Sequence, residues 1–589
     1  MALLKYILKK MLMLLPVLVG ISIIAFALGI MSPGDPVDQV LNPNGNESYT
    51  QAEYDAMAAK MGLDQPAVVQ YFNWVDGLVH GDLGRSFFTN KSVMDQLAKR
   101  IPISLKLAGF SMILTIVFGV GSGVLMAVQK DRMLDHVLGT FSTVALSVPG
   151  FWIAIVLIFI FAEQWKILPS SGISDGSGFI LPAITLALPS IGVCARLTRS
   201  AILDEIGRQY MTVPPPRGDP PRLRKRPDPD HHLPGKPYGG HYRRRVHRGD
   251  DLRDPRNRKL RYSGRAVERL LCGAGLRSVL RMHLCADKYP DRSDLHRAGS
   301  KDPCGRGGGI MRKLKAPRLT VKAKTGLVLL FIILLTSVLA PVLAPYDPLV
   351  SNLSEALQKP SAAHLLGTDN IGRDTLSRVL YGGRQSILLA LAATVLSMLL
   401  GFALGLFAGY FGGWIDGVIT TISSIFQGLP GLTLMIAVAG LLGQGVKSML
   451  IAIVINSWVG FSRIARGEVM KLKQESFIKG LKTIGASDLR ILFLHISPNI
   501  LGTLCVLFAT RIAGNVISVA SMSYLGLGLQ PPTPDWGVMI NDARQYFRQE
   551  PLLVVAPGLC ILLLSLSINL LADELRDRLD VRKDVMKNM

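Results

Sequence analysis

Recurrent apolar runs of bilayer length constrain this 589-residue chain more than any other feature. A helix needs about 20 mainly apolar residues to cross a hydrocarbon core roughly 30 Å thick, where only the chain itself can satisfy its backbone. Four segments ahead of residue 214 meet that requirement: 11–31, 106–128, 137–161 (interrupted by Pro149-Gly150) and 179–203. Six follow residue 311: 325–346, 386–410, 415–442, 449–464, 501–525 and 552–571. The pattern predicts an all-α integral membrane protein built as two tandem multi-span halves.

Composition agrees. Apolar residues make up 49% of the chain and charged ones only 18%, so lipid rather than water is the solvent for much of it. Six cysteines are too few for a disulfide framework at this length, and Cys194, Cys505 and Cys560 fall in or beside apolar runs, where they read as small hydrophobes. The opening run is too long for a signal peptide and no small-residue cleavage site follows it, so it is expected to be a retained first span.

Basic residues in short loops fix the expected orientation. Lys5, Lys9 and Lys10 put the N-terminus in the cytoplasm, and four spans return the chain there at Arg196 to Arg208. The second half opens on Arg312, Lys313, Lys315, Lys322 and Lys324, and its six spans bring the basic tail to the same side. Residues 32–100 and 347–384 are then the long external loops. Each carries a related phrase, Gly81-Asp82-Leu83-Gly84-Arg85-Ser86 and Gly367-Thr368-Asp369-Asn370-Ile371-Gly372-Arg373-Asp374, shortly before a second span.

Three features of the second half are specific: the phrase running from His364 to Asp374, Ser523-Tyr-Leu-Gly-Leu-Gly-Leu-Gln-Pro-Pro-Thr-Pro-Asp-Trp-Gly537, and the tail Leu571-Ala-Asp-Glu-Leu-Arg-Asp577. With them, residues 311–589 resemble one inner-membrane permease of the dipeptide, oligopeptide and nickel ABC importers over its whole length. Residues 1–213 resemble the other permease of the pair through Gly81 to Ser86, Leu168-Pro169-Ser170-Ser171-Gly172 and Arg196-Leu197-Thr198-Arg199-Ser200. The resemblance implies a bacterial inner-membrane protein that imports peptides or a related small solute such as nickel. It implies two ATP-binding subunits, an extracytoplasmic substrate-binding protein and an intact first permease subunit as partners, and no cofactor.

The resemblance also assigns a coupling loop at 474–499, a short helix seated in a groove of an ATPase subunit. Its expected contacts are Phe477, Lys479, Gly480, Leu481, Gly485, Ala486, Ser487, Pro498 and Asn499, with the helix broken at Gly485 and closed at Pro498. The family has Glu-Ala-Ala where this chain has Lys479-Gly480-Leu481. That is a charge reversal plus a helix glycine, the latter costing about 1 kcal/mol relative to alanine.

The stretch 214–310 breaks the pattern. It carries roughly half of the chain's excess positive charge, six of ten histidines and three of six cysteines, without helix or strand periodicity. The first half's coupling loop and last two spans are expected here. The genetic code supplies a test, because reading one nucleotide forward permits only a few amino acids at each position. Across Arg248 to Arg258 the shifted frame permits V-E-T-I-F-A-I-P-G-I-G, the family's phrase after its fifth span. Across Lys288 to Asp302 it permits a final span, and at Ile310 to Arg312 a stop codon overlapping the Met311 start. The inference is two adjacent genes joined by a frame change near codon 213, with several codons lost.

Other readings of this stretch are weaker. Arg222-Leu-Arg-Lys-Arg226 and Arg243-Arg244-Arg245 suit phosphates, which leaves a membrane-anchored scaffold or nucleic-acid-binding protein acting through this segment as the alternative function; no folded readout module accompanies them, so no nucleic-acid partner is expected. Cys272, His283, Cys285 and Cys304 match no zinc spacing. The sequence shows no nucleophile–base pair and no phosphate loop, which points away from an enzyme. Arg511 is taken as the charged candidate inside a span, where such residues usually mark a pathway, with the alternative that it lies near the end of a mis-set span.

Overall fold

A computed structural model of the chain describes residues 2–31, 34–42, 48–86, 89–173, 176–206 and 319–579. Residues 207–318, which include the basic stretch 214–310, lie outside the described residues. All regular elements among the described residues are helical, as a bilayer requires of a chain that does not close into a barrel.

The helices that carry the argument are, in the first half, α1 (Ala2–Ile30), α2 (Val93–Val128), α3 (Met133–Ser147), α4 (Gly150–Gln164) and α5 (Ile180–Ile206). The second half supplies α6 (Val321–Val338), α7 (Thr375–Phe411), α8 (Gly413–Gly428), α9 (Gly431–Leu442), α10 (Val446–Lys473), α11 (Ser476–Thr483), α12 (Asp488–Tyr524), α13 (Trp536–Ala543) and α14 (Leu552–Leu579). Among the described residues seven helices are long and apolar enough to cross a membrane, or nine if each of two bent pairs counts as one span. The apolar part of α1, Leu14–Ile30, is shorter than these.

Two of the expected spans bend sharply. The run 137–161 divides into α3 and α4 at 105°, and 415–442 into α8 and α9 at 92°. Both bends fall at Pro-Gly. Proline disfavours the helical region for the residue before it, and Val148 and Leu429 are extended, with ψ of 131° and 136°. The glycine that follows makes room in the second half: a Cβ on Gly431 would lie 2.6 Å from the Asn456 side-chain oxygen.

Close backbone approach holds the long helices together. On α7, Gly401, Gly405 and Gly409 recur every four residues, and a Cβ on each would fall 2.3, 2.3 and 2.8 Å from the carbonyl oxygens of Trp458, Ser462 and Arg466 on α10. Gly119 and Gly123 set α2 against Cys194 and Ala195 of α5 in the same way. These glycines are packing contacts, which lipid-embedded helices favour because small residues let backbones meet. Asn515 of α12 ties three helices together, donating to Thr394 at 2.9 Å and accepting from Ser457 at 3.3 Å.

The two halves pack directly on each other. Trp152 donates its indole N–H to the Val554 carbonyl at 3.1 Å, Phe151 stacks on Tyr524 with ring centres 4.4 Å apart, and Asn569 donates to Ser147 at 2.9 Å. Arg196 pairs with Asp573 at 2.9 Å. Helix α1 lies against α8, where a Cβ on Gly20 would meet Ile425 at 2.2 Å.

Candidate functional site

The loop between α10 and α12 is half anchor and half surface. Helix α11 is short and amphipathic; its Ile478 is 1% exposed, packed with Ile491, Leu492 and Ile496 against Leu406, Tyr410, Phe461 and Val469. On the other side Phe477, Ile484 and Leu489 stand exposed, as do Lys479, Gly480, Gly485 and Ser487, while Leu481 and Ala486 are half-buried. A polar clamp fixes the loop to α7. The Tyr410 hydroxyl donates to Asp488 at 2.5 Å, the Lys473 ammonium donates to the Tyr410 carbonyl at 2.5 Å, and Lys482 reaches Asp488 at 3.4 Å.

The break at Gly485 is present and needs glycine, at φ +82°. Closure at Pro498 is not. The chain becomes helical again at Asp488 and runs unbroken to Tyr524, with Pro498 at the start of the α-helical part and Asn499 exposed on its next position. The helix takes the proline up directly after a π-helical turn at Ile491–Ile496, so it does not end the loop. The expected span 501–525 accordingly extends by several turns toward the loop.

A second arrangement near this end escaped the sequence reading. Asp416, at the start of α8, accepts from both the Nε and Nη2 of Arg466 on α10, the latter at 2.6 Å. The first half repeats it: Asp135, at the start of α3, accepts two 2.7 Å bonds from Arg199 on α5. The signal was legible as a repeat. Arg196-Leu-Thr-Arg199 matches Arg463-Ile-Ala-Arg466, and each half places an aspartate, Leu134-Asp135 or Ile415-Asp416, just after its preceding span.

At the opposite end of the bundle, the phrase 367–374 is buried. Thr368, Arg373 and Asp374 are 0%, 3% and 3% exposed. Thr368 accepts from the Gln358 N–H at 2.9 Å and donates to the Glu355 carbonyl. Asp369 accepts from the N–H groups of Ile371 and Arg373 at 3.0 Å and from Arg373 Nε at 2.6 Å. Asp374 caps α7 by accepting from the Ser377 N–H at 2.8 Å and lies 3.0 Å from His364 Nδ1. Gly367 and Gly372 have positive φ, and a Cβ on Gly372 would sit 1.7 Å from the Asn352 carbonyl oxygen.

This knot is stapled to α13. Arg373 and Arg378 both face Asp369 and Asp542, at 2.6 to 3.8 Å, so two guanidinium groups and two carboxylates form one buried cluster. Burial pushes the Asp542 carboxyl above its ordinary range, and Arg378 and Arg373 pull it back. Trp536 donates to the Val379 carbonyl at 2.9 Å over Gly382 and Gly383. Asp535, fully buried, accepts from Ser386 at 2.7 Å and from the N–H groups of Gly537 and Val538. The first half's phrase is different: Gly81, Asp82, Gly84 and Arg85 are exposed, with Asp82 accepting from its own loop at Gly84 and Arg85 donating to the Asn90 carbonyl at 3.2 Å. No group of three or more metal-ligating side chains occurs among the described residues.

Parts of both halves match known protein families. Residues 119–214 and 401–582 match the family described as binding-protein-dependent transport system inner membrane component. Residues 3–108 match the N-terminal membrane component of such systems, and 312–360 match the N-terminal transmembrane domain of oligopeptide transport permease C. The glutathione transport system permease protein GsiD of Escherichia coli O6:K15:H31 (strain 536 / UPEC) is 41% identical over 262 residues, spanning 44% of this chain and 86% of that protein. The same protein of Shigella boydii serotype 4 is also 41% identical, and that of Shigella flexneri serotype 5b is 42% identical over the same length. The chain belongs to the dipeptide- and oligopeptide-type inner-membrane permeases of ABC importers, with a stretch of the shared permease family in each half.

Proposed function

We propose that the chain is the membrane path of an ATP-driven importer for peptides or a related small solute, powered through the loop at 474–499. The observation that carries this reading is the split character of that loop. Ile478, Ile491 and Ile496 lock it to α7, α10 and α12, while Phe477, Ile484 and Leu489 offer an apolar face that nothing among the described residues covers. A face of this kind fits a groove on a separate motor subunit, and the buried side would carry a push into the spans. Two ATP-binding subunits and an extracytoplasmic binding protein are the partners such a path requires. Both termini and the 474–499 loop are assigned to the cytoplasm, and the 367–374 phrase to the outside. Peptides are favoured over nickel because the relatives are glutathione permeases, and glutathione is a small peptide.

The test is Phe477→Asp against Ile478→Asp, each in the full chain co-expressed with the ATP-binding subunits of its own operon. Phe477→Asp is expected to lose co-purification with the ATPase and keep its thermal unfolding midpoint; Ile478→Asp is expected to lose both. Full ATPase retention by Phe477→Asp, or labelling of the 474–499 loop from outside intact cells, would sink the assignment.

The domain reading is proposed alongside: 1–213 as the first permease half, 214–310 as a translated wrong frame, and 311–589 as the second permease half. In support, the family match in the first half stops at residue 214. Translating codons 205 to 315 in all forward frames decides it, since absence of two apolar spans in the alternate frame removes the two-gene account.

A further inference from the structure

We infer that Arg511 lines the solute pathway and pairs with a carboxylate of the passing solute, so that the permease favours anionic solutes over cations. This deepens the importer reading and rests on it. Arg511 lies in the middle of α12, about 15 Å from the inner end of the expected span 501–525 and about 21 Å from its outer end at 1.5 Å per residue. A guanidinium at that depth is costly in lipid, by at least about 2.5 kcal/mol, and such groups face a protein interior or a water-filled cavity.

The surroundings distinguish those two. Arg199, Arg373, Arg378 and Arg466 each have a carboxylate within 4 Å, the bond distance limit for an ion pair, whereas Arg511 has none among the described residues. The chain leaves its side chain exposed, and its guanidinium lies over Gly460 of α10, where a Cβ would stand 2.5 Å from Nη2. A glycine at that position makes space for the cation without neutralising it.

The exposed positions around Arg511 are polar and small, while Leu507 and Phe508, one turn toward Asp488, are half-buried. Thr510 and Gly514 are exposed and Ser518 is half-exposed, with the Thr510 and Ser518 hydroxyls donating to their own helix at Val506 and Gly514, at 3.0 and 3.1 Å. Elsewhere the outward faces carry Phe331, Ile332, Leu388 and Leu399, as lipid contact demands. At its outer end α12 meets the first half through Tyr524 and Phe151, so the polar face belongs to a helix at the junction of the two halves, where transporters place their solute sites. An unpaired cation there attracts a carboxylate and repels a divalent metal ion.

Two measurements separate this inference from the importer reading. In a chain with its six native cysteines replaced by alanine, Arg511→Cys is exposed in open membrane sheets to a membrane-impermeant sulfonated thiol reagent. The controls are Ser354→Cys in an exposed loop and Leu399→Cys on an apolar outward face. Arg511→Cys is expected to react at least about tenfold faster than Leu399→Cys, because a pathway position meets water. A rate equal to that of Leu399→Cys overturns the proposal whatever transport shows. In vesicles carrying the full chain with its ATP-binding subunits and binding protein, Arg511→Gln is expected to cut glutathione uptake about tenfold, the loss of about 1.4 kcal/mol. Arg511→Lys should restore most of it, and uptake of a C-terminally amidated dipeptide should hardly change. Equal losses for both solutes overturn the carboxylate pairing. If the unaltered chain imports neither, the importer reading falls and the solute pairing with it, while the labelling rates still report on Arg511.

Discussion

The two related phrases of the molecule, Gly81 to Ser86 and Gly367 to Asp374, show what a motif needs besides its own residues. In the second half the arginine and aspartates are closed under α13 in a cluster of two guanidinium and two carboxylate groups. In the first half Asp82 and Arg85 bond only within their own loop and stay in solvent. The partner of the second phrase, Asp535-Trp536-Gly537 with Asp542, comes from the region between α12 and α14. On the proposed domain reading, the counterpart in the first half would have come from residues 207–318, which lie outside the described residues. In the second half the phrase is one part of a two-part structure.

That contrast can be broken most directly with one arginine from each half. Arg373→Ala should destabilise the folded chain by about 3–5 kcal/mol, because it strands buried carboxylates. Arg85→Ala should change stability by no more than about 0.5 kcal/mol, as at an ordinary surface site. Thermal unfolding in detergent measures both, and equal shifts would mean that the phrases play the same part after all. Trp536→Ala belongs with the large effects, at about 3–5 kcal/mol, since it empties the space over Gly382 and Gly383.

The ion pairs at the other end of the bundle make the opposite prediction, that the halves behave alike. Asp135→Asn and Asp416→Asn should each weaken the fold, with Asp135 the larger because its side chain is 5% exposed against 22% for Asp416. A double-mutant cycle with Arg199 or Arg466 should return coupling of about 1–3 kcal/mol in each half. The smallest expected effect sharpens the loop: Gly480→Ala, at an exposed helical position with nothing within 4 Å of a new Cβ, should stabilise α11 by about 1 kcal/mol. Amide exchange of residues 476–483 would show it as slower opening.

Much of this architecture was legible because lipid reduces the alternatives. Apolar runs gave the spans, and Pro149-Gly150 marked an interruption. The right-angle turn itself was not legible, since a missing N–H says where a helix stops and not where the next one points. The coupling loop's limits were misjudged at Pro498 because a proline reads alike whether it ends a helix or sits inside one beside a π-helical turn. The pairs Asp135–Arg199 and Asp416–Arg466 were missed because each joins residues 64 or 50 apart in the chain. Periodicity reports which face is apolar and is silent about which charges meet. Comparing the halves with each other, instead of each with a general pattern, would have exposed both pairs.

The glycine ladder between α7 and α10 has a mechanical consequence. Three successive turns of α7 rest on the carbonyl oxygens of α10, with Phe461, Ala465 and Val469 packed beside the contact. Helices in such close contact tilt more readily together than apart, so a displacement at the Tyr410 clamp would be carried along the pair toward the arginine–aspartate cluster at the opposite end.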